Sequence, residues 1–265
     1  MTVHVQQDAR GVMTVTLDRP DKRNAISEEM MLALVDAFER AGADDSTVRV
    51  VLLEGAGEHF CGGADIVARN AGDGEQRPRV GSIQRRLPLQ AHRLIPLLCT
   101  TQVPVVCAVR GWAAGIGFQL ALASDFCIAT DDARFWEPFT ERGFTPDSGA
   151  TWLLPRRVGD ARARELLLLG RALSGTEAAE WGAIHRAVPA GELDAAVRAL
   201  VEQLAQGPTV ALGLTKWLLH QGEQATLPAQ LANEAFALEL SSRSEDFREG
   251  LAAFGEKRPP RFQGR

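Results

Sequence analysis

The sequence contains little cysteine, no tyrosine and no long apolar run. Its four cysteines, at positions 61, 99, 107 and 127, form no Cys-x-x-Cys pair, so neither a disulfide scaffold nor a structural metal site is expected. No stretch reaches the roughly 18 consecutive apolar residues of a membrane helix, and Met1–Arg10 lacks the apolar run of a signal peptide. These absences predict a cytoplasmic protein with reduced thiols and no membrane span.

A basic excess is also missing. The formal net charge is −5, and the pairs of adjacent basic residues are short and widely separated. Domains that bind nucleic acid usually concentrate positive charge on one face, so we expect no nucleic-acid partner. The remaining composition, 45% hydrophobic and 24% charged, is ordinary for a globular protein, and the length suffices for a buried core.

The amino-terminal segment carries signals for a hairpin followed by a helix. Val3–Gln7 and Val12–Leu17 alternate apolar and polar residues on either side of Gly11, which is typical of two paired strands. Ser27 is predicted to be a helix N-cap, because acidic residues follow it and apolar residues then recur at helical spacing as far as Phe38.

Buried strands are predicted where apolar residues run almost without interruption. Val48–Leu53 and Val103–Val109 are such runs, each followed by a glycine-rich segment, and Phe126–Ala129 is a third, shorter one. Helices are predicted from Ile83 to Cys99 and from Phe118 to Ala123. The repeated order of strand, glycine-rich turn and helix indicates an α/β fold with crossover connections.

The carboxy-terminal quarter is predicted to be helical. From about Leu193 onward, Leu, Ala and Val recur at three- and four-residue spacing, and no Ser/Gly/Pro linker precedes this region. We therefore divide the chain into a core of residues 1–195 and a helical region of residues 196–265, which we expect to pack on neighbouring subunits. The glycine- and arginine-rich stretch Ala68–Ser82 predicts a mobile loop.

Two glycine-rich segments, Phe60–Ile66 and Gly111–Gly117, each follow a predicted buried strand. Small residues there allow the backbone to approach a ligand closely. A dinucleotide-binding GxGxxG starting at Gly115 fails because position 120 is Leu120, no P-loop Gly-Lys-Ser/Thr follows, and GxSxG occurs nowhere. Two interpretations are left: ordinary turns, or an oxyanion hole built from two separate backbone N–H groups.

Four ordered motifs resemble those of one known family. FCGGADI (60–66), GWAAGIGFQLALASDF (111–126), PDSGATWLLPRRVG (146–159) and REGLAAFGEKRPPRF (248–262) resemble the signatures of the crotonase, or enoyl-CoA hydratase/isomerase, family. Their order and spacing match across essentially the whole chain. The resemblance implies a crotonase-like α/β spiral of ββα repeats with a helical carboxy-terminal trimerisation region, assembled as homotrimers or hexamers.

The same resemblance implies an acyl-CoA thioester as substrate, with coenzyme A as part of it and no further cofactor. The two oxyanion donors would be the N–H groups of Gly62 and Ile116, the latter standing where the family usually has glycine. Residues implied to contact coenzyme A are Lys22 and Arg23 near the pantetheine or phosphates, Ala64, Asp65 and Ile66 near the adenine, and Phe254 and Lys257 on a neighbouring subunit's ligand.

The chemistry implied departs from that of the family's hydratases, which use two glutamates to handle one water. Those positions hold Gln119 and Phe139 here, and neither side chain transfers protons at neutral pH. Asp147 aligns with the acid of the family's double-bond isomerases, and PDSGATWLLPR is most similar to isomerases of phenylacetyl-CoA pathways. We therefore expect an isomerase with Asp147 as its acid/base.

Several alternatives stay open at this stage. Asp147 could instead be a turn or N-cap residue, because Pro-Asp-Ser-Gly is a favourable turn sequence. It could also be a nucleophile, as in the family's aryl-CoA dehalogenases, which use an aromatic residue and a histidine nearby; Trp136 and His92 suggest that comparison. Glu137 or Glu141 could replace the missing glutamates, although a surface or salt-bridge role is the simpler interpretation. A hydratase of reduced activity and a non-catalytic CoA-thioester-binding protein also fit, whereas the acidic balance counts against RNA binding.

Overall fold

The computed structural model describes residues 2–65 and 80–265 of the chain. Its strands are β1 (Val3–Gln7), β2 (Val12–Leu17), β3 (Val50–Gly55), β4 (Val105–Val109), β5 (Trp112–Ala114), β6 (Phe126–Thr130), β7 (Arg134–Trp136), β8 (Leu173–Ser174) and β9 (Arg186–Val188). Its α-helices are α1 (Glu28–Ala41), α2 (Ser82–Arg86), α3 (Ala91–Thr100), α4 (Ile116–Ala123), α5 (Ala150–Val158), α6 (Asp160–Leu169), α7 (Gly175–Glu180), α8 (Leu193–Ala205), α9 (Thr209–Gly222), α10 (Leu227–Ser241) and α11 (Glu245–Glu256). Of the predicted loop Ala68–Ser82, residues 68–79 lie outside the described residues.

The predicted hairpin and helix cap are confirmed. β1 and β2 pair antiparallel with Val3 opposite Leu17. The Ser27 hydroxyl accepts a hydrogen bond from the N–H of Met30 at 3.2 Å, which satisfies a donor in the first turn of α1. After β2 the large sheet continues in the order β3, β4, β6 and β9, and all of these pairs are parallel.

Both faces of this sheet are buried, which explains the continuous apolar runs. In β3, Val51 joins the main core with α1, α3 and α4, whereas Val50 packs on the opposite face against Val197 and Val201 of α8. Successive residues of a strand point to opposite faces, so a strand covered on both sides needs apolar residues at every position.

A second, three-stranded sheet (β5, β7 and β8) turns the chain away from the first. β5 follows β4 after two residues, and β7 follows β6 after three. Twice, therefore, a strand of the large sheet is followed along the chain by a strand of the small sheet. The glycine-rich turn after β5 leads directly into α4, whose eight residues are all buried.

The prediction of one continuous helix from Ile83 to Cys99 is wrong. The structure divides this segment into α2, a 3₁₀ turn (Leu87–Leu89) and α3. Pro88 lies in the break, where it lacks an N–H for a helical hydrogen bond, and Gln90 follows with φ −128° and ψ −108°, outside the helical region. The break brings Leu87 and Gln90 to the cavity described below.

The carboxy-terminal region is helical, as the periodicity predicts, and α8 packs on the large sheet. The division placed at residue 195 falls within this helix, and it stays a prediction. None of the helices in residues 2–65 and 80–265 combines the length and apolar character needed to cross a bilayer. A partly buried ion pair joins α9 to the core, because the buried Lys216 ammonium donates to Asp125 at 2.7 Å and to the carbonyls of Leu98 and Val103.

Replacing Lys216 by methionine is expected to lower the free energy of unfolding by about 1–3 kcal/mol, because the partly buried Asp125 would lose its counter-ion. Denaturant unfolding measures the loss. The double variant Lys216→Met/Asp125→Asn removes both charges and should recover part of it. A single variant as stable as the wild type would contradict a structural role for the pair.

Candidate active site

One narrow cavity brings together the turn after Phe60, the start of α4 and the segment before α5. Gly62, Ala64, Ile116 and Asp147 all line it. Its remaining wall is largely apolar and includes Met31, Leu87, Pro138, Phe139 and Phe144. The prediction placed three of these residues, Gly62, Ile116 and Asp147, in one site from three separate motifs, and the fold brings them to the same cavity.

The direction of the peptide groups decides which N–H groups of the first turn face the cavity. In a planar trans peptide, C=O and N–H point in opposite directions. The Gly63 carbonyl accepts a hydrogen bond from the N–H of Ile26 at 2.8 Å, so the N–H of Ala64 points away from Ile26. Within the described residues this N–H has no acceptor, and Ala64 lines the cavity.

The same rule corrects the prediction for Gly62. The carbonyl of Cys61 accepts from the N–H of Ala114 at 2.9 Å, so the next N–H, that of Gly62, points the other way. It donates to the carbonyl of Arg23 at 2.7 Å and is therefore not available to a ligand. Two residues later, the N–H of Ala64 has a direction fixed by the Gly63 carbonyl and no acceptor among the described residues, and the φ of +102° at the intervening Gly63 is one that glycine adopts readily.

The second predicted donor, Ile116, is oriented as expected. Ile116 is the first residue of α4, and Gly115 precedes it with φ +51°. The Gly115 carbonyl points along the helix and accepts from the N–H groups of Phe118 and Gln119. The N–H of Ile116 therefore projects out of the helix start, where no intrahelical acceptor exists. Two such backbone donors can polarise one carbonyl oxygen.

The two donor segments are in close contact. A Cβ added at Gly117 would lie 2.7 Å from both the Cβ and the carbonyl oxygen of Cys61. Only glycine allows α4 to pack this closely against the turn that carries Ala64. The Cys61 side chain is fully buried, and burial raises the pKa of its thiol to about 12, so it is an unreactive packing residue.

Gly117→Ala is expected to lower kcat/KM by about tenfold or more, because displacing α4 separates the two donors. Overpacking at this contact should also cost about 1–3 kcal/mol of stability. Steady-state kinetics and thermal unfolding measure the two effects. Gly191→Ala is the matched control, since a Cβ there meets no atom within 4 Å. Unchanged kinetics would show that the close contact is not needed.

Asp147 reaches the cavity from a strained turn. Ser148 and Gly149 follow it with φ +52° and +87°, and the Ser148 hydroxyl donates to the Asp147 carboxylate at 2.9 Å. The N-cap of α5 is Gly149, without a side-chain cap. Asp147 thus lines the cavity and does not cap α5, and the Ser148 hydrogen bond within the turn restrains its carboxylate.

A buried pair lies behind the cavity wall. The Gln119 amide nitrogen is 2.9 Å from both carboxylate oxygens of Glu137, and both residues are at most 1% exposed. Burial raises the pKa of Glu137 well above its ordinary value, and the charge of Asp147 raises it further, while the Gln119 hydrogen bond opposes these effects. The simpler interpretation of Glu137 as a surface residue is therefore wrong, whereas Glu141 is exposed.

A second, adjoining cavity shares Gly62 with the first and carries positive charge. Lys22 and Arg23, predicted to lie near the phosphates or pantetheine of coenzyme A, line it. Its other walls come from Trp112, Ala114, Trp136 and Arg142. Arg142 lines both cavities, and its guanidinium lies 5.5 Å from the Trp136 ring centroid. The sequence motifs carried no signal for this arginine.

The other predicted coenzyme A contacts are distributed differently. Asp65 forms an ion pair with Arg19 at 2.8 Å and so braces its turn. Ile66 lies outside the described residues. Phe254, 86% exposed, and Lys257 lie at the end of α11, and neither lines the two cavities of its own chain.

The model of the enoyl-CoA hydratase/isomerase family matches residues 7–265. The chain belongs to this family. It is 42% identical to the 1,2-epoxyphenylacetyl-CoA isomerase of Escherichia coli strain K12, over 97% of this chain and 96% of that protein. The crystal structure of enoyl-CoA hydratase from Bacillus anthracis superimposes with a TM-score of 0.91 at 31% identity, covering all of both chains. The predicted family and crotonase-like α/β fold are confirmed.

A further relative is named for a different reaction. 4-Chlorobenzoyl coenzyme A dehalogenase-2 of an Arthrobacter species is 33% identical over 93% of this chain and 88% of its own length. His92, which together with Trp136 suggested a dehalogenase, is exposed on α3 and does not line either cavity. Trp136 donates its indole N–H to the carbonyl of Gly170 at 2.8 Å.

Proposed function

We propose that this family member moves a double bond within an acyl-CoA thioester, with Asp147 as its acid/base. The Asp147 carboxylate takes a proton from a carbon activated by the thioester, and the electron pair left behind delocalises onto the thioester oxygen. The N–H groups of Ala64 and Ile116 stabilise that oxygen. Asp147 then returns the proton to another carbon of the conjugated system, so no atom is gained or lost.

One observation carries the proposal. Among the described residues that line the cavity, Asp147 is the one carboxylate, and it lies there with Ala64 and Ile116, the two proposed oxyanion donors. The positions at which family hydratases carry their two glutamates hold Gln119 and Phe139, and Phe139 forms part of the cavity wall. Activation of water by two carboxylates therefore has no support here, and transfer of a single proton does.

The lining also supports a substrate class. Phe139 and Phe144 meet edge to face with ring centroids 5.5 Å apart, and together with Met31 and Leu87 they form an apolar surface suited to an unsaturated or ring-derived acyl group. The adjoining cavity with Lys22, Arg23 and Arg142 suits the phosphates of coenzyme A. Coenzyme A enters as part of the substrate, and no other cofactor belongs to the proposed reaction.

Assembly and location form part of the same proposal. α10 and α11 expose large apolar side chains, including Leu227, Leu231, Phe236, Leu238, Leu251 and Phe254. Monomeric proteins rarely expose large apolar patches to water. We propose that a homotrimer or hexamer covers them, that Phe254 and Lys257 reach a neighbouring subunit's coenzyme A, and that the protein acts in the cytoplasm. Light scattering coupled to gel filtration measures the assembly size.

The reaction is tested by product analysis over a small panel of 2-enoyl, 3-enoyl, dienoyl and ring-derived CoA thioesters. Migration of a double bond leaves the mass unchanged, whereas hydration adds one water. We expect products of unchanged mass. Formation of 3-hydroxyacyl-CoA as the main product would favour a hydratase of reduced activity. Binding of coenzyme A thioesters without turnover of any of them would favour a non-catalytic binding protein.

A further inference from the structure

The Gln119–Glu137 pair is fully enclosed, and nothing in the proposed proton transfer uses it. Burying an ionised carboxylate requires several hydrogen bonds or a counter-ion. Glu137 has neither, because its one recorded partner among the described residues is the neutral amide of Gln119. The charged group that acts on it is Asp147, which is also negative. A neutral carboxylic acid is the form that these surroundings accommodate.

The hydrogen-bonding capacity of the pair supports the same form. The Gln119 amide oxygen is buried without a donor, while both carboxylate oxygens lie at equal distance from the amide nitrogen. The oxygen and nitrogen of an amide exchange places on a half-turn of the side chain. Turned in this way, the amide oxygen would accept from a protonated Glu137, whereas an ionised Glu137 has no hydrogen to donate.

The pair is tied to the donor turn as well as to Asp147. The N–H of Gly115 donates to the carbonyl of Trp136 at 2.8 Å, and the N–H of Gln119 donates to the carbonyl of Gly115 at 3.1 Å. The Gln119–Glu137 contact therefore adds a side-chain link between the first turn of α4 and the segment that continues into the cavity wall. That first turn presents the N–H of Ile116.

We propose that Glu137 is a positioning residue of the active site that acts as a neutral acid: it anchors the turn bearing the Ile116 donor and leaves Asp147 as the single negative charge beside the thioester. The inference rests on the proposed isomerase. Ionisation of Glu137 would add a second, buried negative charge behind the wall of the cavity in which negative charge develops on the thioester oxygen during the reaction. Activity should then fall as the pH rises far enough to ionise Glu137.

Three variants test this inference: Glu137→Gln, which mimics the neutral acid, Glu137→Ala, which removes the link, and Glu141→Gln, an exposed control four residues away. We expect Glu137→Ala to lower kcat at pH 7 by about 10²-fold through loss of positioning, and Glu137→Gln to lower it by less than about tenfold. The alkaline fall in kcat/KM should be present in the wild type and in Glu141→Gln but absent in Glu137→Gln. An alkaline fall retained in Glu137→Gln, or Glu137→Gln as inactive as Glu137→Ala, would overturn the inference.

Thermal unfolding gives a readout that does not depend on turnover. Above the ordinary glutamate pKa of about 4.3, the unfolded wild type releases the Glu137 proton while the folded protein retains it, so rising pH disfavours folding. The Tm of Glu137→Gln should therefore gain on that of the wild type between about pH 5 and pH 8. If no thioester is turned over, the proposed reaction fails but this measurement still decides: a constant difference in Tm overturns the neutral acid, and a growing one supports it.

Discussion

Replacing Asp147 by asparagine is expected to lower kcat for double-bond migration by about 10²–10⁴-fold, the usual contribution of a positioned acid or base. Asparagine keeps the size of the side chain, and its amide oxygen can still accept from the Ser148 hydroxyl. The turn and the cavity should therefore survive, while the group that carries the proton is lost. Steady-state kinetics on the substrate identified by the panel, together with coenzyme A binding by calorimetry, measure the two properties separately.

Asp132→Asn is the matched control for this variant, because Asp132 is an exposed aspartate remote from the cavity lining. It should change neither turnover nor binding. A second readout is the incorporation of solvent deuterium into the substrate, since the wild type should exchange substrate protons in D₂O and Asp147→Asn should not. Full turnover by Asp147→Asn would exclude Asp147 as the acid/base and direct attention to Glu137.

Replacing Ile116 by proline is expected to lower kcat/KM by about 10²–10³-fold, as loss of one oxyanion donor does in other enzymes. Proline lacks the N–H, and the first position of a helix is the one where a helix tolerates proline best, since that N–H has no intrahelical acceptor. The substitution therefore removes the proposed donor while keeping the φ angle that α4 requires. Kinetics and a far-ultraviolet circular dichroism spectrum measure the two consequences.

Ile116→Ala is the control that separates the main chain from the side chain. Alanine removes most of the buried Ile116 side chain, which is 4% exposed, but it retains the N–H. We expect Ile116→Ala to lose far less activity than Ile116→Pro, although it should change the preference among acyl groups. Equal losses in the two variants would mean that the Ile116 side chain, and not its N–H, supports the reaction.

Patterns within a single segment predicted most of the fold. The hairpin of β1 and β2 and the cap at Ser27 depend on alternation and on one hydroxyl, and both occur as predicted. The buried strands around Val51 and Val106 followed from apolar runs that are almost uninterrupted. The helix predicted through Pro88 failed because apolar spacing continues across a residue that cannot complete the backbone hydrogen bonds of a helix.

The site could be predicted only as far as motifs specify positions. The motifs named Ile116 and Asp147, which both line the cavity, but they could not distinguish Gly62 from Ala64 as a donor. That distinction depends on the orientation of the peptide planes that join residues 61 to 62 and 63 to 64, which the residue types do not specify. The burial of Glu137 could not be predicted either, since a glutamate between Trp136 and Pro138 gives no sequence signal for its partner Gln119 on α4.

The two proposed oxyanion donors, the N–H groups of Ala64 and Ile116, belong to the main chain, so the groups that stabilise charge are separate from the side chains that select the acyl group. A main-chain N–H survives most substitutions of its own residue, so the side chains of Ala64 and Ile116 can be exchanged for others without removing the charge-stabilising groups. Both residues also line the cavity and help to set its shape. An engineer who wishes to change the accepted acyl group can therefore diversify these two positions first, and can leave Asp147 and the glycines around them untouched.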